Sequence, residues 1–204
     1  MQTASSSPAA NLPSESRRLG RFEFLAMNNP LRRYRQRRKE LPLFLKMLNL
    51  HGINLAGKII MDMGCGSGYG TELILRELRP QRVFAFDIMP EQIALAKKRG
   101  LPVDFKVGDA TAMDAPDASC HAVFDFGILH HIPSWRTALT EAARVLVPGG
   151  VLLIEEPHKL FAWDELEAGV RQAGFTILER AQWYFGFFRF FVAQKTALPD
   201  PAPR

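Results

Sequence analysis

The stretch at residues 58–71, Lys-Ile-Ile-Met-Asp-Met-Gly-Cys-Gly-Ser-Gly-Tyr-Gly-Thr, restricts what this chain can become more than any other. An apolar run at 59–61 has the character of a buried strand, and it leads into an acid, Asp62. Gly64, Gly66, Gly68 and Gly70 then take every second position, and Leu73, Ile74 and Leu78 follow at helical spacing. Strand, glycine turn and helix in that order open a doubly wound nucleotide-binding fold. Glycine meets two needs in such a turn: backbone angles that a Cβ forbids, and a ligand lying against bare backbone.

Two details bear on the ligand. A dinucleotide fingerprint, G-x-G-x-x-G, would put its third glycine at position 69, which is Tyr69. Asp62 stands two residues before Gly64, where its charge repels a pyrophosphate and attracts a cationic tail. S-adenosylmethionine carries such a tail, with an ammonium and a sulfonium. Asp62, Gly64, Gly66 and Gly68 match position by position the Asp-x-Gly-x-Gly-x-Gly motif of the class I S-adenosylmethionine-dependent methyltransferases. The chain resembles that family, in its small-molecule, methyltransferase type 11-like branch, over about residues 55–196.

The rest of the pattern is consistent with alternating strands and helices. Strands are expected at 82–86, 103–107, 121–127 and 151–154, and two more at 175–183 and 187–195 around Gly186. Asp87 ends the second strand about twenty residues beyond the glycine turn, the separation expected of a carboxylate that accepts both ribose hydroxyls. Pro90 starts the next helix where proline is pre-organised. Gly108-Asp109-Ala110 follows the third strand, so three acids would line one edge of a parallel sheet, where open α/β sheets bind ligands. Ser134 is placed as an N-cap, and Pro148-Gly149-Gly150 is expected to end the helix it starts and to turn the chain into the fifth strand. The expected fold is α/β, a Rossmann-like doubly wound seven-stranded sheet, mostly parallel with an antiparallel last strand.

The resemblance implies roles for particular residues. Asp62, Gly64, Cys65, Gly66 and Gly68 would hold the methionine end of S-adenosyl-L-methionine and Asp87 its ribose. Asp109 and Ala110 would meet the adenine, Ile88 would pack on its face, and Phe126 would line the same pocket. Methyl transfer then needs an aligned acceptor and, where the acceptor holds a proton, a base. His130 and His131, after the fourth strand, are the candidates, with His131 slightly favoured. Glu155 and Glu156 also fall at the ligand edge and could hold an acceptor or form an outward salt bridge. The place after the fourth strand, 127–133, lacks the Asn/Asp-Pro-Pro-aromatic motif of enzymes that methylate exocyclic base amines. Neither Cys65 nor Cys120 stands in a motif for cytosine or arsenic chemistry. No spacing suggests a structural zinc, so no metal is expected.

Four segments are expected: a disordered tail at 1–20, a helical segment and lid at 21–50, a catalytic domain at 51–196, and a tail at 197–204. Within the lid, a basic helix at 31–40 and a second helix with Leu41, Phe44, Leu45 and Leu48 on one face are expected to be separated by Pro42. The net charge of +5 owes much to Arg32, Arg33, Arg35, Arg37, Arg38 and Lys39. That run could be a solvated face, a contact to a carboxylate of cofactor or substrate, or a patch for membrane phosphates or nucleic acid. Seven aromatics at 183–191 should spend half their number on the core. The rest could line an acceptor pocket, a dimer face or a peripheral membrane contact. No run is long enough to span a bilayer, and the cysteine usage suits a reducing cytoplasm. The chain is expected to be a cytoplasmic monomer or homodimer that methylates an O, N or C atom of a small-molecule acceptor. A nucleic-acid or protein acceptor, and a non-catalytic S-adenosylmethionine-binding protein, stand as alternatives.

Overall fold

A computed structural model describes residues 29–160 and 162–196. The expected tails at 1–20 and 197–204, and the first part of the expected lid at 21–28, lie outside them. Seven strands form one sheet: β1 (Ile59–Met63), β2 (Arg82–Asp87), β3 (Asp104–Val107), β4 (Cys120–Phe126), β5 (Leu146–Pro157), β6 (Phe175–Trp183) and β7 (Phe188–Lys195). Their order is β3-β2-β1-β4-β5-β7-β6. β1 to β5 pair in parallel, and β7 runs antiparallel between β5 and β6. The order reverses between β1 and β4, so their carboxyl ends diverge into a crevice there.

The central strands are apolar on both faces because helices cover both. On one face α2 (Leu41–Leu50) and α3 (Tyr69–Leu78) pack over Ile60, Phe124, Leu153 and Phe190, and α1 (Pro30–Arg35), which buries none of its own residues, precedes α2. On the other, α5 (Trp135–Val145) and α6 (Trp163–Gln172) cover Met61, Val123, Leu152 and Ile154. α4 (Pro90–Lys97) packs Ile93 and Ala96 beside Phe105 of β3. α5 and α6 approach so closely that a Cβ on Gly169 would lie 2.4 Å from the Trp135 ring.

The structure departs from the expected elements in four places. Pro42 does not divide the N-terminal segment, because a π-helical turn (Gln36–Glu40) joins α1 to α2 without leaving helical backbone. The Leu41 amide donates to the Gln36 carbonyl, five residues back. Such widening absorbs the clash that a proline ring makes with the carbonyl four residues before it. Pro148-Gly149-Gly150 is not a turn before β5 but part of it: the strand begins at Leu146, and its register shifts opposite Cys120–Ala122. That is the signature of a bulge, which accommodates glycine and lacks the amide proline cannot supply. Ser134 stands at the start of α5, but its side chain caps nothing; its carbonyl accepts from Thr137 N at 2.9 Å. Finally, β3 starts one residue later than its apolar pattern, at Asp104, and β4 spans Cys120–Phe126.

Candidate active site

At the carboxyl end of β1, Gly64, Gly66 and Gly68 have φ of +71°, +53° and +77°. Left-handed backbone is open to glycine and costly to residues with a Cβ. The three glycines differ in what surrounds them. A Cβ on Gly64 would lie 2.5 Å from Ile128, and one on Gly68 3.1 Å from Ala96 and Phe105. Those two serve packing. A Cβ on Gly66 would meet nothing within 4 Å, so the backbone there faces open space. The turn is fixed from behind by Cys65 N donating to Phe86 O at 2.9 Å and by Arg99 Nε donating to Ser67 O at 2.6 Å.

Beside Gly66 lies an open cleft. Asp62, Gly64, Cys65, Ser67, Tyr69, Gln92 and Phe126 line it, and Arg32, Arg33 and Gln36 close it from above. Asp62 is buried, and Thr71 Oγ1 donates to its Oδ2 at 2.5 Å. Its Oδ1 is buried with no hydrogen-bond partner. Burial pushes the Asp62 carboxyl up to about 7; the Thr71 bond opposes this, the charge of Asp87 adds to it, and Arg32 opposes it. A buried acceptor without a donor is costly. An ammonium supplies both the missing donor and the missing countercharge, and bare backbone over Gly66 leaves room for it. The residues present therefore fit the cationic end of S-adenosylmethionine.

Asp87, at the end of β2, accepts from Gly66 N through Oδ2 and from Met89 N through Oδ1, both at 2.9 Å. It thus ties the glycine turn to the start of α4. Burial raises its carboxyl above the usual range, against the two backbone bonds. Each oxygen retains a second lone pair for a hydroxyl. Ile88 is half-buried, and Ala110 and Asp109 are buried. Asp109 Oδ1 accepts from both Thr111 N and Thr111 Oγ1 at 2.8 Å. Asp109 borders a separate depression with Phe84, Phe86 and Met113, not the glycine cleft. The acids 62, 87 and 109 nonetheless share the carboxyl edge of adjacent strands.

A second polar cluster stands at the ends of β4 and β5. His130 and His131 lie in a short 3-10 turn (Leu129–His131), with ring centroids 3.9 Å apart. Glu156 accepts from Leu129 N at 2.7 Å and contacts His130 Nδ1 at 2.6 Å. Asp125, fully buried, accepts from Ile128 N at 2.8 Å. Burial drives the Asp125 and Glu156 carboxyls well above the usual range, and neighbouring acids raise them further: Glu156 acts on Asp125, and Glu155 on Glu156. Neither Glu155 nor Glu156 makes an outward salt bridge; both are fully buried. Glu155 projects to the opposite face, where Arg32 Nη2 and Arg35 Nη2 stand 3.8 Å from its two oxygens.

The basic run is thus only partly a solvated face. Arg32, Gln36 and Glu40, one helical turn apart, point inward. Glu40 accepts from Arg32 Nη1 at 2.5 Å and also from Arg35 Nε. Arg32 Nη2 donates to the Phe126 carbonyl at 2.7 Å, fastening α1 to the end of β4. Burial opposes the Arg32 charge, but Glu40 and Glu155 outweigh it and hold the guanidinium protonated. Sequence reasoning passed over Glu40, Thr71, Gln92 and Asp125. Two of these carried a signal: an acid between Phe124 and Phe126 in an apolar strand, and a polar stripe at 32, 36 and 40. Among the described residues no cluster of three or more His, Cys, Asp or Glu side chains could hold a metal.

Residues 61–154 match the family model described as a methyltransferase domain. A fatty-acid O-methyltransferase of Mycolicibacterium smegmatis is 30% identical over 129 residues, 62% of this chain and 47% of that protein. A phthiotriol/phenolphthiotriol dimycocerosates methyltransferase of Mycobacterium tuberculosis is 37% identical over 117 residues, 55% of this chain and 43% of that one. The chain therefore spans about half the length of the curated relatives it matches. A SAM-dependent methyltransferase from Aquifex aeolicus has a similar fold, with TM-score 0.72 and 16% identity over 88% of this chain and 100% of that one. The matched segment runs from β1 through β5 and includes the glycine turn, the Asp87 carboxylate and the His-His turn. Residues 61–154 are thus similar to the methyltransferase domain of the class I S-adenosylmethionine-dependent methyltransferases, whose cofactor is S-adenosylmethionine.

Proposed function

We propose that this chain methylates an O, N or C atom of a small, lipid-class acceptor. The orphaned, buried Asp62 Oδ1 beside the open backbone of Gly66 carries the reading, because it asks for a cation where the cofactor's ammonium would lie. Two relatives bear names that specify a fatty acid and a phthiotriol lipid, which supports the acceptor class. When bound, the cofactor supplies an activated methyl carbon. The chain's own residues align the partners and exclude water.

In this reading Asp62, Gly64, Cys65, Gly66 and Gly68 bind the methionine end, with Phe126 beside them. Asp87 accepts the ribose hydroxyls, and Asp109 and Ala110 bind the adenine with Ile88 on its face. The described part of the lid, residues 30–50, closes the cleft. His130 takes the acceptor's proton. Glu156, 2.6 Å from Nδ1, holds that ring in place. This contact shifts preference to His130 from His131, whose ring lies tilted beside it at 3.9 Å.

Calorimetry with S-adenosylmethionine tests the cofactor assignment: wild type should bind, and Asp87→Ala should weaken binding at least about tenfold. Label transfer from methyl-labelled cofactor to long-chain carboxylic acids and lipid hydroxyls tests the acceptor. Transfer only to sugars, amines or RNA would replace the acceptor class.

A further inference from the structure

The β6–β7 hairpin ends in a surface that the proposed chemistry does not use. Phe185 is fully exposed at its tip, at 105% of its reference area, and Tyr184 is 61% exposed. The turn is closed by Phe187 N donating to Tyr184 O at 2.9 Å. Tyr184 and Phe185 both have φ of +53°, and Gly186 has +80°. Bulky aromatics are rare at such angles, where asparagine and glycine are the low-energy choices. The chain therefore holds two large apolar rings in water at strained positions.

Two other segments meet this tip. α1 and the π turn lie alongside it: Arg35 stacks on Phe188 at 4.0 Å, and Lys39 lies 5.9 Å from the Trp183 ring. The helix adds exposed Leu31 and Tyr34. The turn after β5 (His158–Leu160) is joined through His158 N donating to Phe187 O at 2.7 Å, and it exposes Leu160 and Lys159. Residues 29–39, 157–160 and 183–191 contain no Asp or Glu. The result is an apolar, aromatic projection set among cations.

We infer that this surface docks the enzyme on an anionic lipid bilayer, with Phe185 and Tyr184 entering the interface and Lys39 and Lys159 meeting phosphates. Aromatic rings favour the interfacial zone, and each cation near an anionic leaflet adds attraction. A convex tip without acids suits a negatively charged fluid surface better than a second copy of a chain whose net charge is +5. Among the described residues no helix is long and apolar enough to cross a membrane, so the contact is peripheral. The same helix bears Arg32, which closes the cofactor cleft, and Arg35, which faces Glu155. Docking would thus place the lid at the membrane surface.

Co-sedimentation of the full chain with lipid vesicles tests this. Wild type should bind vesicles of phosphatidylcholine mixed with phosphatidylglycerol, bind pure phosphatidylcholine weakly, and release as salt rises. Phe185→Asn should weaken binding about tenfold, and Lys39→Glu with Lys159→Glu by a similar factor. Phe185→Asn makes an Asn-Gly turn, so lost binding in an equally or more stable protein excludes misfolding as the cause. No binding by wild type, or unchanged binding by Phe185→Asn, overturns the inference. So does a homodimer or an RNA complex that Phe185→Asn abolishes while vesicles bind nothing. Calorimetry with S-adenosylmethionine on the same samples reads the cofactor site separately.

Discussion

Asp62 is where residue chemistry and function meet. Its folded pKa of about 7 lies above the ordinary value of 3.8. Each unit is about 1.4 kcal/mol, so keeping this group ionised without a ligand costs on the order of 4 kcal/mol. A bound ammonium prefers the carboxylate, so cofactor affinity should rise from pH 6 to about pH 7 and level off above it. Calorimetry across that range should show the rise in wild type. Asp62→Asn should bind more weakly at pH 8 and lose the pH dependence; a variant with the wild-type slope would assign it elsewhere. The glycines make a second prediction. Gly66→Ala, with open space at its Cβ, should lower stability only by about 1 kcal/mol yet cost cofactor affinity at least about tenfold. Gly64→Ala, driven against Ile128, should lose about 3 kcal/mol or more in urea unfolding. Asp62 and the glycine spacing were legible in the sequence because the motif is local. Which glycine backbone faces open space was not, since Ile128, Ala96 and Phe105 arrive from distant segments.

At the scale of elements, the N-terminal helix and the β6–β7 hairpin carry the departures from expectation. Arg32 links Glu40, within its own helix, to the Phe126 carbonyl on β4. Removing one partner of a buried ion pair leaves the other uncompensated, typically at 3–5 kcal/mol. Arg32→Ala should therefore loosen residues 30–40. Amide exchange there should speed up while Phe44 and Leu48, in the core, keep α2 protected. Uniform loss of protection across the sheet would show that the helix is no separable lid. In the hairpin, Phe185→Asn should gain about 1 kcal/mol by relieving left-handed strain. The apolar stripe of α2 and the proline at 42 were readable. The π turn was not, because its tolerance depends on polar groups buried by packing against β4 and β5.

For the whole molecule, buried acids dominate the response to pH. Asp62, Asp87, Asp125, Glu155 and Glu156 all have raised folded pKa values, chiefly because burial disfavours their charged forms. The native state then holds more protons than the unfolded chain between about pH 4, where unfolded carboxyls ionise, and the raised folded values. Their contribution to stability is full below that pH and is lost as pH rises through the folded values. Glu141 and Glu167, lowered by arginine partners, oppose this, but both are near the surface and screened. Without cofactor, the urea midpoint should fall between pH 5 and pH 8, and added S-adenosylmethionine should restore part of the loss. A midpoint that climbs over this range would mean that these acids are paired in solution.

The sequence by itself determined the strand-turn-helix opening, the parallel order of the first five strands, and the family of the cofactor site. These are set by hydrophobic period and by glycine's backbone freedom, both of which act over a few residues. Tertiary structure alone decided that Arg32 and Arg35 turn inward, that Glu155 and Glu156 are buried on opposite faces, and that the aromatic tip is left in water. Those outcomes depend on which segments converge at the carboxyl edge of β4 and β5, and no local pattern encodes that convergence.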